Sequence, residues 1–302
     1  MFYITFLDDD VPTGGVLTAD RKRVLSLTEA GALIGCRFSN DLVQFIATAT
    51  GEQMDELARA VDQSGTDVGR SAQNIHLQAP IPKPPRNLFC LGKNYAEHVK
   101  EIKNIPGLSG KPEAPIYFTK APTTVIGSNA VIDRHSQVTD QVDYEAELAV
   151  IIGTGGADIP KDQAESHIFG YTIANDVTAR DLQASHKQWF KGKSLDTFCP
   201  MGPVIVPRQD MPLPFDLGIR CSVNGSLRQE STTSHMIFDI PTIIHDLSQG
   251  LTLMPGDIIL TGTPAGVGFA MKPPRFLQNF DSVLTQIDGI GELLNVVMEL
   301  EK

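Results

Sequence analysis

Two glutamates stand at the head of a stretch that otherwise reads as protein interior. VDYEAELAVIIG, residues 142–153, carries Glu145 and Glu147 two positions apart, directly before Leu148, Ala149, Val150, Ile151 and Ile152. β-Branched and aliphatic residues closed by Gly153 predict a short interior strand. Alternation along a strand puts Asp143, Glu145 and Glu147 on one face. Like charges there repel, and a buried, unpaired carboxylate is costly or neutralises itself. A hard divalent cation such as Mg²⁺ or Mn²⁺ resolves that conflict, because it favours carboxylate oxygens. The competing reading is an edge strand whose acidic face lies in water.

Other segments offer partners, each with a plainer reading beside it. GYTIANDVTARDLQ ends a predicted strand in Asn175 and Asp176; Asp176 is a third oxygen ligand or the N-cap of the next helix. LGKNYAEHVKE sets His98 and Glu101 three apart on a predicted helix, where a carboxylate can fix the imidazole tautomer and raise its basicity. The alternative is a solvated surface pair. Lys191 and Lys193 flank Gly192 in a turn-rich stretch and can hold a carboxylate or steady an enolate, or simply face water. In PGDIILTGTPAGVG, backbone amides with the hydroxyls of Thr261 and Thr263 can grip an anion, or the glycines serve a tight turn. No Gly-Lys-Ser/Thr follows, so this is not a Walker A loop.

The elements that must position these groups follow from the pattern. From Asn87 onward the chain is strand-rich, with strands expected in NLFCLG, APIYFT, ELAVIIG, YTIAND, GPVIVP, GIRCSVNG, DIILTG and ELLNVVMEL. Helices are expected in NYAEHVKE, TARDLQASHKQ and FDIPTIIHDLSQG. Without regular βα alternation, a doubly wound sheet is disfavoured, and an α+β, mostly β architecture curled into a roll is expected. Residues 1–78 read as a small α/β domain. It includes a helix in TGEQMDELARAVDQSG, where Thr50 and Gln53 form a capping box. LQAPIPKPPR holds four prolines, so a stiff linker is placed at 79–86 and a catalytic domain at 87–302.

The chain has 302 residues, 41% hydrophobic and 20% charged, an ordinary globular composition. A net charge of −11 argues against a nucleic-acid or anionic-membrane binder. The four scattered cysteines form no CxxC pair, which fits a reducing compartment and gives no zinc signature. MFYITFLDDDVP lacks the basic start of a secretory signal, and no apolar run approaches the roughly 20 residues of a membrane helix. A cytoplasmic protein is expected.

Taken in order, GKNYAEHVKE, PIYFTKAPTTVIG, VDYEAELAVIIG, GYTIANDVTARDLQ, GKSLDTFCPMGP, VNGSLRQESTTSHMIFDIPTIIHDLS and PGDIILTGTPAGVG resemble the fumarylacetoacetate hydrolase family over about residues 87–270. The nearest branch holds acylpyruvases, oxaloacetate decarboxylases and tautomerase-like members, which share a KPPRFL-like stretch. The resemblance implies a mixed β-roll, usually dimeric, with Glu145, Glu147 and Asp176 binding one Mg²⁺ or Mn²⁺. It implies a His98–Glu101 base dyad, substrate contact by Lys193, and Gln183 and Thr263 lining the pocket. The segment 102–114 falls where relatives carry a mobile lid.

Three carboxylates leave about three of six octahedral positions open, and a 2-oxo acid can fill two. The expected reaction is therefore C–C cleavage of a 2-oxo acid through an enolate that the metal and Lys193 stabilise. It would be acylpyruvate hydrolysis or oxaloacetate decarboxylation. Keto–enol tautomerisation or isomerisation at the same site is the alternative, and a catalytically idle binding protein the remaining one. RFLQNFDSVLTQIDGIG departs from relatives, which place a Gly-Asp turn after Phe-Leu; here Asn279 and Phe280 precede Asp281.

Overall fold

A computed structural model describes residues 1–65, 68–102, 110 and 112–300. Its centre is the strand Ala146–Ile152, buried at every position. A continuous apolar run can be covered on both faces only inside a sheet. It pairs antiparallel with Ile168–Asn175 on one side and with Ile258–Leu260 on the other. Cys199–Pro207 and then Phe2–Asp8 extend the sheet beyond Ile168–Asn175. Leu88–Gly92, parallel to Ile258–Leu260, and then Ile116–Lys120 extend the other side. Eleven strands belong to this sheet.

A five-stranded sheet packs against it, ordered Ser226–Thr232, Gly218–Val223, Ser282–Ile287, Gly291–Met298 and Val131–Asp133. Its strands alternate between buried and partly exposed residues, as one-sided burial requires. The departure at Asn279–Phe280 is absorbed in a turn. Phe280 is largely exposed with φ +70°, and Ser282–Ile287 pairs with Gly291–Met298 along its whole length. All eight strands and all three helices expected after Asn87 are present; the sequence pattern had not marked Val131–Asp133, Ser226–Thr232 and Ser282–Ile287.

The N-terminal residues form the hairpin Phe2–Asp8 and Val11–Leu17, the strands Arg23–Ser26 and Arg70–Ser71, and three helices. The helix Gly51–Gln63 starts at the expected Thr50–Gln53 capping box, and Ser26–Glu29 caps Leu27–Ala32 in the same way. Tyr3, Phe45, Leu57 and Val61 pack in one cluster with Ala149, Ile151, Ile258 and Leu260 of the central strands. The eleven-stranded sheet thus runs across the 79–86 segment, where Ala79 and Ile81 are buried and Thr5 Oγ1 donates to Pro80 O at 2.7 Å. The two-domain division remains a proposal about folding units. The lid expected over 102–114 lies mostly outside the described residues, since 103–109 and 111 are not among them. Among the described residues, no helix is long and apolar enough to cross a membrane.

Candidate active site

Parity along Ala146–Ile152 decides where the glutamates point. Leu148, Val150 and Ile152 join the cluster shared with the five-stranded sheet, and Ala149 and Ile151 join the opposite one. Glu145 and Glu147 share parity with the second set, at the end of the strand where that face opens into a cleft. Antiparallel pairing brings in the third carboxylate. Ala146 lies opposite Asn175, and the Asp176 amide donates to Glu145 O at 2.8 Å. Glu145, Glu147 and Asp176 offer oxygens that all lie within 4.8 Å of one another. Their exposures are 5%, 1% and 0%, which excludes an acidic edge in water. Asp176 is not a helix cap either, because Arg180–Ser185 starts from Ala179.

Asp143 parts from the other two. The strand breaks at Tyr144 and Glu145, and the Asp143 carboxylate turns to Arg180 Nε (2.9 Å) and to the amides of Gly268 (2.8 Å) and Phe269 (3.1 Å). Arg180 Nη2 also reaches Glu145 Oε1 at 2.7 Å. Lys193 Nζ donates to Glu145 Oε2 (2.8 Å) and Asp176 Oδ2 (2.6 Å), and Lys120 Nζ to Asp176 Oδ1 (2.6 Å). All three cations are buried. Asp143, Glu145, Glu147 and Asp176 therefore face Lys120, Arg180 and Lys193, leaving one net negative charge.

That surplus falls on Glu147. Burial favours the neutral form of Glu145, but Lys193 and Arg180 outweigh it and hold its pKa down to about 2. Glu147 has no lysine or arginine in ion-pair range among the described residues; its Oε2 accepts one amide, Gly262 N, at 2.6 Å. Burial, then the charges of Asp176 and Glu145, push its pKa well above the usual glutamate value. Burial works against the Lys193 ammonium, yet Asp176 and Glu145 raise its pKa. An all-oxygen set with a buried carboxylate lacking a cation fits a hard divalent ion. Glu145, Glu147 and Asp176 would hold it.

The second group sits beside the first. His98 Nδ1 lies 2.7 Å from Glu101 Oε1 on the short helix Ala96–Glu101, and Gly266 N donates to Glu101 Oε2 at 2.9 Å. His98 is buried, so the pair is no solvated surface contact. The glycine-rich loop after Ile258–Leu260 does grip anions through its amides, but the anions are the protein's own Glu147, Glu101 and Asp143. Thr261 spends its hydroxyl on Leu148 O at 2.9 Å and is fully buried.

A narrow cleft joins both groups. His98, Glu145, Gln183, Lys193 and Thr263 line it, so five of the expected residues meet there, while Glu147 and Asp176 lie next to Glu145 and Glu101 next to His98. Gln183 Oε1 accepts from Arg180 Nη1 at 3.1 Å, and Thr263 Oγ1 from Gln229 Nε2 at 2.7 Å. Lys191 is exposed and takes no part. Arg180, Lys120, Lys93 and an aromatic wall of Phe118, Trp189 and Phe269 were not singled out from sequence. The one signal was a charge within apolar surroundings, as at Lys120 closing IYFTK.

Comparisons with known proteins show the family to which this fold belongs. The model of the fumarylacetoacetate (FAA) hydrolase C-terminal region matches residues 87–298. The chain is 45% identical over 295 residues to oxaloacetate tautomerase YisK of Bacillus subtilis (strain 168), covering 98% of this chain and 96% of that one. Fumarylacetoacetate hydrolase (EaFAH) from Exiguobacterium antarcticum superposes with a TM-score of 0.82 at 41% identity, over 99% of this chain and 100% of that one. A 5-carboxymethyl-2-hydroxymuconate delta-isomerase from Mycobacterium smegmatis gives 0.73 at 32% identity, over 99% and 100%. The chain belongs to the fumarylacetoacetate hydrolase family and is an enzyme of that family. The expected mixed, mostly β fold is the one observed.

Proposed function

We propose that this enzyme interconverts the keto and enol forms of oxaloacetate, or of a closely related 2-oxo dicarboxylate, with Mg²⁺ or Mn²⁺ as cofactor. The observation that carries the reading is near-full-length similarity at 45% identity to an oxaloacetate tautomerase. It favours the alternative weighed from sequence over C–C cleavage, and the similarity to an isomerase points the same way. Cleavage and tautomerisation share an enolate, so a site suited to one needs little change for the other.

A bound Mg²⁺ or Mn²⁺ would supply Lewis acidity to the 2-keto oxygen, which acidifies the C3 proton. The proton transfer itself falls to the dyad. Glu101 accepts a hydrogen bond from the Nδ1–H of His98, which leaves the Nε2 lone pair as the base. His98 removes a proton from C3 and returns it to the oxygen on C2, or the reverse. Gly266 N holds the second oxygen of Glu101, so the imidazole stays aimed without a mobile partner. Lys193 offers positive charge at the cleft floor as the enolate forms. Phe118, Trp189 and Phe269 limit water beside the reacting carbon, which protects the enolate from side reactions. The homodimer implied by the resemblance is part of this reading and is tested by light scattering.

The decisive assay follows the enol absorbance of oxaloacetate and the appearance of pyruvate in one reaction with added Mn²⁺. Enol–keto relaxation should accelerate while pyruvate stays at the uncatalysed level. Pyruvate released as fast as the enol signal changes would return the reaction to decarboxylation.

A further inference from the structure

Three basic side chains line the cleft: Lys93, Arg180 and Lys193. Two are committed to the protein's own carboxylates, Arg180 to Asp143 and Glu145, Lys193 to Glu145 and Asp176. Lys93 is different. Among the described residues its ammonium makes no ion pair and donates no hydrogen bond, and partial burial lowers its pKa from the ordinary lysine value.

The backbone beneath Lys93 is held in an unfavourable shape. Its φ is +60°, a left-handed conformation that glycine adopts freely and lysine does not. Both neighbours are pinned. Gly92 ends the strand Leu88–Gly92 opposite Ile116, and a Cβ built on it would lie 2.2 Å from Trp189 Cζ3. Asn94 is fully buried; its Nδ2 donates to Thr261 O (2.8 Å) and Phe238 O (3.1 Å), and its Oδ1 accepts from Phe238 N (2.8 Å). Glycine at 93 would make this turn without strain.

Charge counting gives the Lys93 ammonium a role. With Glu147 ionised and the His98–Glu101 pair left aside, Asp143, Glu145, Glu147 and Asp176 against Lys120, Arg180 and Lys193 sum to one net negative charge, which a divalent ion would turn into one net positive. The carboxylate of a 2-oxo acid balances that charge. A second carboxylate, on C3, then lacks a counter-ion inside the cleft unless Lys93 supplies it. We infer that Lys93 recognises the distal carboxylate of a 2-oxo dicarboxylate and so selects dianionic over monoanionic 2-oxo acids. This rests on the reading of the cleft as a 2-oxo acid site, but not on which reaction follows.

Binding calorimetry on the Mn²⁺-loaded protein tests it without turnover. 3,3-Difluorooxaloacetate, which has no C3 proton to lose, probes both ends of the cleft; its 4-ethyl ester lacks the distal charge; oxalate probes the 2-oxo acid end alone. Lys93→Met should weaken difluorooxaloacetate roughly ten- to hundredfold, the worth of a charged hydrogen bond, and leave the ester and oxalate unchanged. Lys93→Arg should restore most of the loss. Equal weakening of all three probes, or no weakening of difluorooxaloacetate, overturns the inference. Unchanged oxalate affinity also reports that the variant is folded. If oxalate fails to bind the wild-type protein, the 2-oxo acid reading itself fails, which is a separate outcome.

Discussion

The floor and the wall of the cleft are built on opposite principles. The floor is a cluster of charges collected from four distant parts of the chain, with Glu145 and Glu147 at a central strand, Asp176 after its neighbour, Lys120 closing another strand and Lys193 on a short helix. Among the described residues every member but Glu147 has an oppositely charged partner, and all are buried. The wall is one helical turn, in which Glu101 reaches back three residues to His98 and is steadied by a single loop amide. The floor is assembled from long-range ion pairs; the wall is local. Under the proposed function the floor holds the divalent ion and the wall presents the base.

Removing a charge from the floor should separate the two most sharply. Glu147→Gln should abolish turnover and divalent-ion binding. It should not destabilise the metal-free protein, because Glu147 is the carboxylate whose charged form the fold disfavours. Activity assays, Mn²⁺ titration and melting in chelator check all three. Full activity of the wild type in strong chelator would show that the floor is not a metal site.

A break in the wall should do less. His98→Ala should keep Mn²⁺ affinity and lose roughly 10²–10⁴-fold in turnover, the usual worth of a positioned base. An unchanged rate would remove His98 from the base role. Glu101→Gln keeps the shape but weakens the hold on the imidazole, so a loss of roughly ten- to hundredfold is expected, with the fall concentrated in kcat. A fall as large as that of His98→Ala would mean that Glu101 itself exchanges protons with substrate.

The smallest effect is in stability against pH. In the metal-free protein the Glu147 pKa lies above its unfolded value, so its favourable contribution is present at low pH and is lost as pH rises through the folded pKa. Glu145, held down to about 2, acts the other way; its contribution is present above the ordinary glutamate value and fades as pH falls toward 2. A divalent ion needs Glu147 deprotonated, so binding should release a proton, and the Tm gain from Mn²⁺ should grow with pH. At a hundredfold excess over Kd the ion contributes about 2.7 kcal/mol, enough to move Tm by several degrees. Scanning calorimetry at two pH values reads this directly, and a Tm gain that shrinks as pH rises would count against Glu147 as a ligand.

Much of this architecture is legible along the chain because it is written in short-range terms. The apolar run Leu148–Ile152 can only be interior, the Thr50–Gln53 box can only start a helix, and three-residue spacing makes His98 and Glu101 neighbours wherever the helix lies. The carboxylate candidates are equally visible, as charges at the mouths of buried strands. The tertiary structure alone decides which charges meet. Strand alternation allied Asp143 with the two glutamates, yet a break in the strand gave it to Arg180. The loop that looked ready for a ligand anion was filled by Glu101, Glu147 and Asp143. Lys120 and Arg180 became counter-charges, and Lys93 faced the cleft without an ion pair among the described residues. Local periodicity fixes which face a side chain occupies, but ion pairing depends on distances between segments tens of residues apart, and only the folded sheet sets those.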